Sequence, residues 1–86
     1  MSDLRWTKGG EAVLVALEDD AITLRSTIPS APGSRLDATT ASGAGFRVKV
    51  HRCQKDDAEF VIVGRTIDMR RDVRAELVAL LAARKG

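Results

Sequence analysis

The sequence predicts a mainly β protein, a small antiparallel barrel of five or six strands with one C-terminal α-helix. Short apolar or alternating runs recur between turn signals from Glu11 to Ile67. An amphipathic stripe appears only after Asp68. No helical pattern falls between the strands, so the long crossovers that parallel strands require are missing and the pairing should be antiparallel. A sheet of this size closes on itself to remove exposed edges.

The chain has 86 residues, enough for one small core and no more. The reading divides it into a loosely held lead-in over residues 1–10 and a single barrel domain over residues 11–86. Met1 to Gly10 is polar, with a lone Trp6 and a closing Gly pair, which suits an untethered segment. Ala12 to Leu17 is a continuous apolar run of the length expected for a strand buried on both faces. Glu18-Asp19-Asp20 breaks it with turn-favouring acids, and Ala21 to Ser26 then alternates Ile22 and Leu24 against Thr23 and Arg25. These two runs form a hairpin.

Ile28 to Gly33 contains Pro29 and Pro32, which have no amide to donate to a ladder, so it is a connection. Arg35 to Thr40 alternates weakly, as an edge strand does, and Ser42 to Gly45 is a flexible turn. Phe46 to His51 has the cleanest period-two pattern, with Phe46, Val48 and Val50 inward and Arg47, Lys49 and His51 outward. A polar turn over Gln54 to Ala58 leads into Glu59 to Ile67, apolar on both faces. Asp68 is the expected N-cap of a helix over about residues 69–84. Met69, Val73, Leu77, Leu80 and Leu81 make its apolar stripe, and Arg84, Lys85 and Gly86 suit its C-terminal end. Strands 12–17 and 59–67 need an outer cover, so the helix is expected across them, with Leu77, Leu80 and Leu81 against Val61 and Val63.

Composition excludes several function classes. A single Cys cannot form an internal disulfide or a Cys-based zinc cluster. No apolar run reaches the roughly 18 residues of a membrane helix, and MSDLRWTKGG carries no signal-type apolar core, which points to a cytoplasmic chain without a membrane partner. His51 and Cys53 lie two apart on one strand and complete neither a metal site nor a nucleophile–base pair. Asp19-Asp20 and Asp56-Asp57 are accounted for by turn chemistry. Ser42-Gly43-Ala44-Gly45 leads into a strand rather than a helix, so it is not a phosphate loop. No catalytic constellation can be assembled, and the chain is expected not to be an enzyme.

Certain residues carry a family resemblance. The hairpin is followed by a proline-and-glycine step (Pro29 through Pro32-Gly33-Ser34-Arg35-Leu36), then a long basic hairpin. Last comes Val61-Ile62-Val63-Gly64-Arg65-Thr66-Ile67-Asp68 running into Met69-Arg70-Arg71-Asp72-Val73-Arg74. Over about residues 11–83 this pattern resembles PilZ domains, bacterial receptor modules of cyclic di-GMP signalling. Ligand-binding members are similar to one another in an N-terminal Arg-x-x-x-Arg and a following Asp/Asn-x-Ser-x-x-Gly, whose arginines clamp phosphates and guanine faces. Both motifs are missing here. The N-terminal segment offers Arg5 and Lys8, and Asp20 to Arg25 lacks the Ser and Gly. Arg70 and Arg74 have the right spacing but sit in the helix. The resemblance therefore implies a degenerate member in which cyclic di-GMP binding is weak or absent, with Arg5 and Lys8 the residues to hold it if it binds.

One surface invites a partner. Arg47, Lys49 and His51 project together, with Arg52, Lys55 and Arg65 nearby. Arg47, Lys49, His51 and Arg65 are the expected contacts for an acidic protein partner, which fits a non-enzymatic regulatory adaptor. The alternative is a basic small-barrel nucleic-acid binder. It is disfavoured because 3% aromatic content, no Tyr, and Phe46 and Phe60 assigned to the core leave no stacking platform. The net charge of +2 is also modest for duplex binding.

Overall fold

The computed structural model describes residues 2–85. In chain order it contains β1 (Leu4–Trp6), β2 (Glu11–Glu18), β3 (Ala21–Ser26), β4 (Arg35–Thr40), β5 (Gly45–Asp56), β6 (Glu59–Ile67) and α1 (Arg71–Lys85). The six strands close into an antiparallel barrel in the order β1-β2-β3-β6-β5-β4. No described helix is long and apolar enough to cross a membrane.

The strand that completes the barrel lies in the segment read as a lead-in. Leu4 and Trp6 are buried, and β1 pairs with both β2 and β4. The expectation of a loose segment over residues 1–10 is therefore corrected. The indole is satisfied inside the barrel, where Trp6 Nε1 donates to Ser26 Oγ at 2.9 Å. That hydroxyl also donates to the Ile28 carbonyl at 2.7 Å and accepts from the Ile28 amide, using its full capacity of one donor and two acceptors. A buried Trp with its N–H paired anchors a strand too short to hold by propensity.

Both two-residue hairpins carry a β-bulge. In β2–β3 the register shifts between Leu14 and Ala16, which leaves Val15 as the extra residue, 48% exposed. The run 12–17 is thus not buried on both faces. Ala12 and Leu14 point inward, Val15 and Ala16 are exposed, and Leu17 is half-buried. In β5–β6 the shift falls between Val50 and Arg52. Asp19 and Asp57, the first residues of the two turns, adopt φ values of 50° and 57°. Asp tolerates this left-handed region better than most residues.

The helix begins at Arg71, not at Asp68. The Arg70 carbonyl accepts from the Arg74 amide at 3.0 Å, and Asp68 has a φ of 51°, which turns the chain rather than capping the helix. After that turn α1 crosses the end of the barrel, not its wall. Val73 and Leu77 join the interior core, with Met69, Leu80 and Leu81 packed beside them. Arg74 donates to the Asp19 carbonyl and Arg84 to the Leu14 carbonyl, Arg84 pairs with Asp3, and Glu76 accepts from Thr40 and Ser42. These contacts pin the helix to the β2–β3 turn, the start of β1 and the β4–β5 turn. The stripe packs inward and α1 lies against β2 as expected, but its leucines meet the barrel interior rather than Val61 and Val63, because an open barrel end exposes more apolar interior than a half-covered wall does. Val61 and Val63 stay on the outer wall, half-buried. The capping expected of Gly86 lies outside the described residues.

Candidate interaction face

The outer wall of β4, β5 and β6 is built by the alternation of each strand. Phe46, Val48 and Val50 turn inward, so Arg47 and Lys49 turn outward. Register then decides which outward side chains meet. Arg35 of β4 lies opposite Lys49 of β5, and Lys49 lies opposite Arg65 of β6. Three cations thus occupy one cross-strand row, with neighbouring Cβ atoms roughly 5 Å apart. All three are exposed, and among the described residues none forms an ion pair with a carboxylate. Like charges directly opposite one another disfavour the ladder that carries them.

A glycine makes this row possible. Gly64 points inward opposite Val50, and a Cβ there would overlap the Lys49 carbonyl oxygen. Its absence lets β5 and β6 approach closely where the bulge begins.

The expected contact residues divide. Lys49 and Arg65 are brought together as anticipated. His51 is exposed but is the extra residue of the β5 bulge, without a cross-strand partner, and Arg52 takes the outward position opposite Val63. Arg47 is not a free cation, because its Nε donates to Asp37 Oδ1 at 2.8 Å. That bond, with the Asp37 charge behind it, raises its pKa further above the ordinary guanidinium value. Arg35 is the contact the sequence reading missed. Its outward alternation with Leu36 was legible, but its place beside Lys49 depends on the β4–β5 register.

Arg5 and Lys8 do not share a pocket. Arg5 is exposed on β1 and borders a groove of about 400 Å³ that Asp3 also lines. Lys8 borders a depression of about 170 Å³ with Arg35 and Asp37. A third groove, about 460 Å³, holds Arg47 between Asp37 and Asp68. Each of these concavities has an aspartate in its lining, with Asp3 held by Arg84 and Asp37 by Arg47.

The remaining candidates stay apart. Cys53 is half-buried and His51 exposed on the same strand, and no group of three or more His, Cys, Asp or Glu able to hold a metal ion forms among the described residues. Phe60 is half-buried and outside the core, which corrects its assignment there, while Phe46 is buried. No protein-family model matches the chain, and no curated protein or solved structure does either.

Proposed function

We propose that this chain is a non-enzymatic, cytoplasmic regulatory module that docks an acidic protein partner on the outer face of β4–β5–β6. The carrying observation is the in-register row Arg35–Lys49–Arg65, flanked by His51 and Arg52. A solvated face would disperse its cations or pair them, as Arg47 and Arg25 are paired on the same barrel. An acidic partner relieves the repulsion within the row and gains charge complementarity. Such contacts set encounter rate and salt sensitivity more than raw affinity.

The closed six-stranded barrel with a C-terminal helix agrees with the architecture that the PilZ resemblance implies, and cyclic di-GMP-linked signalling is the setting we assign on that resemblance. Nucleotide binding itself is weak or absent in this reading. Each missing arginine removes a charge-assisted contact of about 1.5–3 kcal/mol, and the grooves beside Arg5, Lys8 and Arg47 all hold carboxylates.

Parallel calorimetric titrations with polyglutamate, cyclic di-GMP and a single-stranded oligonucleotide at physiological salt test the proposal. Polyglutamate is expected to bind with the highest affinity of the three. Sub-micromolar binding of cyclic di-GMP would restore a receptor role, and tighter binding of the oligonucleotide would shift the reading to nucleic acid.

A further inference from the structure

The wall that carries the basic row also has an unfinished edge. β4 pairs with β5 only from Gly45 to Lys49. One residue further, the Gly33 amide donates to the Val50 carbonyl at 2.7 Å, and the Val50 amide donates to the Ser34 carbonyl at 2.8 Å. From His51 to Asp56 the strand pairs with β6 alone, and no backbone bond from any other described element reaches it.

Alternation shows which groups are open. The backbone groups of Val50 face away from β6, since they bond to Gly33 and Ser34. The bulge places both His51 and Arg52 on the Val63 side. Continuing the alternation, Cys53 and Lys55 turn their N–H and C=O groups away from β6, toward the unoccupied side. An open strand edge is a template for one more strand.

The charge on this edge selects its occupant. Arg52 and Lys55 are exposed along it, and Arg35 and Lys49 stand at its base. Asp56, the acid at its far end, is held by Arg25 at 3.0 Å. A second copy pairing edge to edge would bring together two edges of the same net positive charge, since Asp56 is already held by Arg25. An extended acidic segment meets the opposite sign at the same positions. We infer that the His51–Asp56 edge of β5 captures an extended, acidic peptide segment by strand addition. The inference rests on the basic face described above and specifies how its partner is held.

The test uses the whole chain, labelled with ¹⁵N, and a capped ten-residue peptide alternating Glu and Thr. Amide shifts are expected at Cys53 and Lys55 on titration, with slowed hydrogen exchange at both. The same peptide N-methylated at every residue keeps its charge but cannot donate backbone hydrogen bonds, and it should bind at least tenfold more weakly. Equal affinity of the two peptides would overturn strand addition. Shifts confined to Arg35, Lys49 and Arg65 would also remove strand addition while leaving the basic face standing. No binding of either peptide at millimolar concentration would remove both.

Discussion

Arg25 and Arg65 project outward from neighbouring strands of one barrel wall, yet their surroundings are opposite. Arg25 is held by Glu59 at 3.1 Å and Asp56 at 3.0 Å, a bridge from β3 to the tip of the β5–β6 hairpin. The bond it donates to Glu59, then that to Asp56, raises its pKa above the ordinary guanidinium value. Arg65 has Lys49 opposite it, Arg35 one strand further, and no carboxylate partner among the described residues. The fold can satisfy an outward arginine, and it does so for Arg25 and for Arg47. That three unsatisfied cations stand in one cross-strand row is the observation on which the proposed partner face rests. The difference also sorts the wall: the Arg25 bridge ties the hairpin tip to the barrel, and the Arg65 row is the face proposed to meet a partner.

Removing the backbone fit beneath the row should have the largest effect. Gly64→Ala places a Cβ on the Lys49 carbonyl and is expected to cost about 3 kcal/mol, read by urea denaturation. A loss under about 0.5 kcal/mol would mean that the strands separate easily there. On the satisfied side, Arg25→Gln leaves Asp56 and Glu59 without their shared cation. It should lower the melting temperature, with faster amide exchange at the hairpin tip. An unchanged tip would show that the bridge holds nothing.

Glu76 belongs with Arg25 among the satisfied charges. The Ser42 hydroxyl, donating at 2.6 Å, is the main cause that lowers its pKa from the ordinary 4.5, and Thr40 adds to it. Its folded value lies below its unfolded one, so the unfolded chain binds the proton more readily. Its contribution is present above pH 4.5 and is lost as pH falls through the lowered value. Glu76→Gln should flatten the dependence of melting temperature on pH below 4.5, and an unchanged slope would count against the helix clasp. The row itself should show the smallest change in stability. Lys49→Gln with Arg65→Gln relieves repulsion and should raise stability by a few tenths of a kcal/mol, an advantage that shrinks as salt is added.

The barrel, its antiparallel pairing and its helical stripe were legible because each rests on local periodicity. The bulges were legible in principle. Val48 and Val50 must share the inside with Thr66 and Gly64, which pairs residues whose numbers sum to 114. A two-residue turn pairs Asp56 with Glu59, a sum of 115. One extra residue has to reconcile the two, and His51 supplies it. The same arithmetic demands Val15 in β2–β3. β1 was missed because a three-residue strand gives only Leu4 and Trp6 as its alternation. Its burial depends on Ser26 and Ile28, some twenty residues away. The helix meets β2 as expected but not Val61 and Val63, because a stripe tells what a helix buries and not where. Arg35 and the Arg47–Asp37 pair were invisible for a similar reason: charges on a wall find partners through register, which composition does not encode.

The most direct measurement compares cation-to-Gln changes at two places on the same wall, two in the row and one at the bridge. Polyglutamate affinity is measured by calorimetry at low salt for wild type, for Lys49→Gln with Arg65→Gln, and for Arg25→Gln, with melting temperatures recorded for all three. The double variant should remain folded and bind at least tenfold more weakly, while Arg25→Gln keeps wild-type affinity. If Arg25→Gln lost half or more of the double variant's loss in log affinity, binding would follow total charge rather than the row; if neither variant weakened, the row would not be the binding face; either result would contradict the account.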